Sequence, residues 1–417
     1  MADYQVLSEL HDLADEFMRD LVTQQARMTQ NLVDLTPPSQ EAQSARPAGK
    51  RTERPISVKR NAKQQVGTVQ VKNGGIGSLG TTADAGTRRA ASAVKMFKGT
   101  YNPVIVEGTV EFPIASVRIA KGGDGIDLFE EQVKAFGSQY GVYLARSLLG
   151  SQVDNPLSNV SAAATSFTVD DPSGYIIGEL YDHYNAGGAL VQSFRVSNVA
   201  IAFDLTATIT VSVALTDAIT AATDAIYLSG QGSSSTRLEN LKNVCDSGTQ
   251  MYGLSTTNFP SGLAVSSVAA WGNSDGRRVM DVVAVQSGSR VSHLVANSIG
   301  ASKIVNAAQS QIRHIPGTSS ELDAYGGYSV PLFNGVPVII DEQQASTTID
   351  FINADECFLH LFYDFGPDVA GGGQGEMGRS SMRLSDTKYS YELPCSAAME
   401  FVVKHRRAFA RMTSLGD

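Results

Sequence analysis

Between Ala42 and Lys98 twelve basic residues stand against only Glu53 and Asp84, a net +10, with almost no apolar periodicity. Such a stretch cannot bury enough of itself to collapse, so its order has to come from a surface outside it. Met1 to Glu41 is acidic, eight Asp or Glu against Arg19 and Arg27. With a total of −9 for the chain, the residues after Lys98 carry −13. A positive arm on a negative body can clasp a neighbouring copy of that body or touch nucleic acid. Either contact is weakened by salt.

At 417 residues the chain exceeds the usual limit of one core, so two or three compact units are expected. An apolar share of 42% with only 18% charged residues describes a folded protein; the low charge suits a chain that covers much of its outside against other subunits, though large β proteins also show it. Cys245, Cys357 and Cys395 are odd in number, far apart and in no CxxC spacing, which fits a reducing cytoplasm and no disulfide framework. The start is acidic and amphipathic, unlike a signal peptide, and no apolar run reaches the ~18 residues of a membrane span.

Val6, Leu10, Leu13, Phe17 and Leu21 recur at helical spacing until Thr36-Pro37-Pro38-Ser39 stops them. A short alternation through Val66, Val69 and Val71 ends at Asn73-Gly74-Gly75. Tyr101 to Val106 and Thr109 to Ile119, with Gly108 between, predict a two-stranded excursion, marginal alone and in need of a partner surface. Asp127 with Glu130 opens a helix like a capping box. Phe129, Val133, Phe136, Tyr140, Leu144 and Leu148 carry it to a stop at Gly150.

Ser161 to Ser229 turns to strand period, with strands predicted at Thr165 to Val169, Leu190 to Val196, about Thr206 to Val213, and Ala225 to Leu228. This reads as an inserted β domain. Beyond it the sequence predicts helices at Leu238 to Cys245 and Ser289 to Ala301, and strands at Val279 to Val285 and Val336 to Ile340. Extended runs follow at Tyr389 to Pro394 and Ala398 to Lys404, then basic Arg406 and Arg407. The class is α+β.

Gly75 to Gly80 and Gly373 to Gly378 each satisfy GxGxxG, but neither lies between a strand and a convincing helix, so both read as loops. His11, His183, His293, His314, His360 and His405 have no metal-ligand spacing. No nucleophile elbow or P-loop appears. No catalytic, cofactor-binding or metal residue is assigned, and the chain is read as a non-enzyme.

Several runs resemble major capsid proteins of tailed bacteriophages, the Hong Kong 97-like fold. They are Lys95-Met96-Phe97-Lys98 through Gly108, Asp124-Gly125-Ile126 into the helix, and Leu144 to Gly150. Met251-Tyr252-Gly253-Leu254 before Ala269-Ala270-Trp271, Leu332 to Val338, and Phe401 to Ala408 continue the order. The resemblance implies an N-terminal arm (1–94), an E-loop (95–123), and a spine helix with the start of a peripheral domain (124–160). It further implies an inserted β domain (161–232), an axial domain (233–345), a return to the peripheral domain (346–388) and closing axial strands (389–417). The implied function is an icosahedral shell around packaged double-stranded DNA, assembled in a bacterial cytoplasm and located in the virion. Implied partners are further copies as hexamers and pentamers, portal, scaffolding and decoration proteins, and DNA touched non-specifically, with no membrane. An encapsulin-type compartment on the same fold, or a nucleotide-binding enzyme using Gly75 to Gly80, are the competing readings.

Overall fold

The structure is a computed structural model that describes residues 56–60, 66–72, 96–113, 125–150, 153–202, 206–221, 223–230, 232, 238–266, 271–309, 332–367, 383–384 and 390–413. The predicted N-terminal helix, most of the basic arm and both GxGxxG runs lie outside them. The architecture is mixed α+β, and the chain divides into two compact units.

The first unit comprises Met1–Gly67, Tyr101–Ala145 and Phe358–Phe401. Its sheet is built from β1 (Ser57–Arg60), β4 (Val104–Pro113), β15 (Cys357–Pro367), β16 (Arg383–Leu384) and β17 (Ser390–Val403). The order is β1-β15-β17-β16, and β4 also pairs with β17. β4 lies antiparallel to β17 from Pro113↔Ser390 to Val104↔Met399. Here the predicted excursion is corrected: among the described residues, 104–113 form one strand that passes through Gly108, and its partner is in the same chain. The strand pattern explains this, because Val106 and Val110 are both buried while Ile105 is exposed. Gly108 marks a close approach, not a turn. A Cβ there would sit 2.6 Å from the Phe136 ring of α1 (Gly125–Leu149). The Tyr140 hydroxyl of α1 points at Met399 Sδ, 3.9 Å away, so this helix covers the Val106 face. Helix α1 starts two residues before its predicted beginning and ends as predicted, with Gly150 at φ +149. The side chains of its first turns, Asp127 and Glu130 among them, lie outside the described residues. The extended runs Tyr389 to Pro394 and Ala398 to Lys404 are one strand, β17.

The second unit comprises Thr68–Thr100, Arg146–Cys357 and Val402–Asp417. It holds a two-stranded ribbon of β2 (Gly67–Lys72) and β3 (Met96–Tyr101). It also holds a six-stranded sheet in the order β10-β18-β14-β11-β13-β12. The strands are β10 (Leu263–Val265), β11 (His293–Ala296), β12 (Leu332–Phe333), β13 (Val336–Ile340), β14 (Ile349–Ile352) and β18 (Ala410–Met412). Trp271, Val283, Leu294, Ile304, Phe333, Val338 and Phe351 belong to its core, each apolar side chain contributing roughly 1.5–3 kcal/mol on burial.

Three helices accompany the sheet among the described residues: α2 (Leu241–Cys245), α3 (Asn273–Ser287) and α4 (Ser298–Gln309). Two predictions are corrected here. The valine-rich run Val279 to Val285 lies inside α3. Val279 and Val283 are buried one turn apart while Val285 is 87% exposed, so helical spacing outweighs β propensity, and Gly288 at φ 69 caps the end. The predicted helix Ser289 to Ala301 is instead β11 followed by α4. Leu294 to Ala296 are fully buried between β13 and β14. Asn297 Oδ1 accepts from Gly300 N at 2.7 Å and starts the helix there. The helix predicted from Leu238 begins at Leu241, because Asn240 caps it by accepting from Asn243 N. Strand β13 matches its prediction.

Inside this unit, β5 (Ser166–Val169), β6 (Leu180–Tyr184), β7 (Leu190–Ile201), β8 (Ala207–Val211) and β9 (Ala225–Leu228) form an antiparallel sheet in the order β5-β8-β7-β6-β9. The chain just before β5 joins its two outer strands. Val153 N donates to Ile226 O on β9, and Leu157 N donates to Thr168 O on β5. Residues 153–157 thus close the sheet on itself. Phe167, Tyr175, Tyr181 and Phe194 pack as neighbouring rings inside, with centroids 5.2–6.1 Å apart.

Candidate assembly elements

The ribbon is held at both ends by close backbone approaches. Thr100 N donates to Tyr252 O at 3.1 Å, and Lys72 N donates to Lys404 O at 2.9 Å. A Cβ on Gly99 would lie 2.8 Å from Tyr252 Cβ. Tyr252 itself sits at φ 55 next to Gly253 at φ 71, and its hydroxyl accepts from Val403 N. Lys72 Nζ is 2.7 Å from Glu356 Oε1, and Lys404 N donates to Glu356 O. The ribbon has no third strand among the described residues, and its Val69 and Val71 side chains are buried.

The arm shows how an outside surface orders it. Strand β1 adds parallel to β15 with Ser57↔Phe358 and Arg60↔Leu361 in register, and Ile56 just before it is fully buried. Val66, by contrast, is 48% exposed. Tyr101 Oη lies 2.9 Å from His360 Nδ1 in the same unit, and desolvation pushes the Tyr101 hydroxyl up to about 12.

The closing segment carries two buried arginines. All five donors of Arg406 meet backbone carbonyls: Nε meets Val244, Nη1 meets Thr249 and Phe259, and Nη2 meets Asn243 and Asp246, at 2.6–3.2 Å. Arg411 makes a bidentate pair with Asp350, 2.6 Å at both contacts, and also donates to Leu149 O. These two arginines of the terminal basic region therefore lock the fold and do not face a solvent-borne anion.

The four described histidines are buried. In the β unit His183 Nε2 is 2.9 Å from Asp224 Oδ2, whose carboxyl sits below its ordinary range. Burial opposes that shift, and the Thr220 amide and His183 outweigh it. Gln192 joins His183 to the Thr216–Asp217 backbone. Asp182 accepts from Ser193, Ser229 and Gly230 N. His293, His360 and His405 are buried, and His11 and His314 lie outside the described residues. The three cysteines form no disulfide and are buried, with burial pushing the Cys245 thiol up to about 12. Among the described residues no group of His, Cys, Asp or Glu could hold a metal, and no helix is long and apolar enough to cross a membrane.

A cleft of ≈ 460 Å³ lies between the end of α1, the β unit and the loop after β13. Its walls are cross-tied: Arg146 Nη1 donates to Gln343 O at 2.7 Å, and Asp171 Oδ2 accepts from Ser346 N at 2.6 Å. Asp341 at the root of that loop is pushed up to about 6 by burial, even though it accepts from Gln343 N.

No family model and no curated protein matches the chain. Solved structures are similar to it at low identity. The capsid of a native GTA particle matches at 11% identity and a TM-score of 0.46, covering 87% of this chain and 88% of that one. An encapsulin complex from Synechococcus elongatus matches at 10% and 0.43, covering 91% and 96%. The capsid of cyanophage A-1(L) matches at 12% and 0.42, covering 86% and 90%. All three fall under a TM-score of 0.5, so the functional reading is built on the chain's own elements.

Proposed function

We propose that this chain is a shell subunit, the major capsid protein of a tailed phage, whose work is to bury its edges against further copies around symmetry axes. The observation that carries the reading is the ribbon β2–β3, two strands with no third strand among the described residues, whose Val69 and Val71 face is buried while Thr68, Gln70, Lys98 and Thr100 are exposed. Two strands alone are marginal, so a neighbouring copy is the surface that completes them. In this reading the ribbon takes the role expected of residues 95–123, and only its second strand falls in that range. Helix α1 is the spine, the first unit is peripheral, and the second is axial with the β unit inserted. The basic arm clasps neighbours and touches packaged DNA only secondarily. Hexamers, pentamers, portal, scaffold and decoration partners belong to the same proposal, as does assembly in a bacterial cytoplasm.

Purified full-length protein examined by size-exclusion chromatography and negative-stain microscopy is expected to give closed shells or rings of subunits. A protein that stays monomeric at high concentration, with and without a scaffold, sinks the proposal. Shells that never hold DNA but carry a protein cargo favour the compartment reading instead.

A further inference from the structure

The outer surface of the β unit carries a face without charge. Strands β5, β8 and β7 lie side by side, and their inward residues, Phe167, Ile209 and Val196 among them, are buried. The outward residues line up by register. Ser166, Thr210 and Asn198 form one row, and Thr168, Thr208 and Ala200 form the next. Leu157 extends the second row, because Pro156 pairs with Val169 and Leu157 N donates to Thr168 O. Thr210 is half-buried, and the other six are exposed, Leu157 by 55%. None of the seven bears a charge. Charges stand only at the margins, where Asp170 lines the cleft and Arg195 Nη1 donates to Gly178 O.

The residues after Lys98 sum to −13, so two copies repel each other over most of their surfaces. On an uncharged face they approach with no like charges opposed. Hydroxyl and amide side chains add a second property. Each one both donates and accepts, so it can hydrogen-bond its own kind, as an ammonium or a carboxylate cannot. A twofold contact demands this, since the same patch serves on both sides. Threonine is also stiff at χ1, and burying it costs less side-chain entropy than burying lysine or glutamate. We infer that this face pairs with the same face of a second copy across a twofold axis at β8, the middle strand, where Thr208 and Thr210 of the two copies meet. Seven short side chains cover less than the ~800 Å² per partner of a standard stable interface, so the pairing is weak and adds to other contacts between copies. Its use in a shell rests on the proposed function.

The test compares full-length wild type, Thr208→Lys, Thr208→Glu and the two variants co-expressed, by sedimentation velocity over a concentration series and by negative stain. Alone, each variant sets its charge against the same charge across the axis. Association is then expected to need at least about tenfold more protein. In the co-expressed sample Lys meets Glu, and association is expected to recover. Circular dichroism is expected to be alike in all four samples, because Thr208 faces outward. If either variant does not fold, Thr210→Lys and Thr210→Glu take its place on the same strand. Single variants that associate like wild type overturn the pairing. So does a loss that co-expression leaves unrepaired, which gives the face to a different partner. The two ideas fail separately. Shells that form equally well in every sample sink the pairing alone, whereas charge-dependent pairs without shells or rings sink the shell reading alone. A wild type that stays monomeric at every concentration sinks both.

Discussion

The β unit of residues 153–230 and the ribbon β2–β3 are both antiparallel β structure, yet they solve the problem of open edges in opposite ways. In the first, the incoming segment pairs with both outer strands, and four aromatic rings fill the inside. In the second, two strands are pinned at one end by Tyr252 and at the other by Lys404 and Glu356. One region holds its own core; the other borrows order. The difference lies in whether a strand's partners come from within its own unit, not in strand propensity.

The sharpest break of that comparison is by fragments. A fragment of residues 153–230 is expected to fold alone with dispersed amide spectra, and a peptide of residues 67–101 is expected to be unfolded. The fragment 161–229 lacks the closing segment and is expected to lose most of its cooperativity. A disordered 153–230 fragment shows that the unit shares its core with its surroundings.

Next in size, Phe194→Ala removes a ring from inside the β unit and is expected to cost about 3–5 kcal/mol. Hydrogen exchange of the ribbon amides is expected not to change. A loss at both places ties together two regions that are here set apart.

Asp341→Asn tests the loop that reaches the β unit through Ser346. A carboxyl raised to about 6 by burial favours folding at low pH and loses that contribution as pH rises through 6. The amide keeps an oxygen for Gln343 N. Thermal unfolding at pH 8 is therefore expected to improve by about 1–3 kcal/mol, with no gain at pH 4. An equal gain at both pH values removes the charge as the cause.

The smallest effect belongs to Lys72→Met. Its side chain is 42% exposed, so subunit stability is expected to fall by less than about 1 kcal/mol, while exchange of the ribbon amides rises. A large loss of global stability by chemical denaturation makes the ribbon part of the core.

Where a segment's burial follows one period, it was legible from sequence. Helix α1, β9 and β13 came out at or near their observed ends. Strand β6 was missed because Asp182 and His183 are buried in it side by side, each satisfied by groups brought from elsewhere. Helix α3 was taken for a strand because its valines share a type while only some share a face. The Lys72–Glu356 pair joins residues 284 apart in sequence, and no local pattern signals such a meeting. Arg406 appeared as one of a basic run. Nothing in its neighbours announced five carbonyls waiting in the chain segment from Asn243 to Phe259.

The position of β17 has a consequence for biosynthesis. This strand lies inside the first sheet, yet it begins at Ser390, and its partners β4, β15 and β16 are all translated before it. A ribosome adding about 5–20 residues per second needs on the order of ten seconds or more to travel from the end of the β unit to that strand. During that interval the β unit is complete, while β4 waits for its mate. Arg406 and its carbonyls close later still. A truncated or stalled product therefore contains a finished inner module on an unfinished scaffold, and quality-control proteases meet the exposed β4 before any neighbour can.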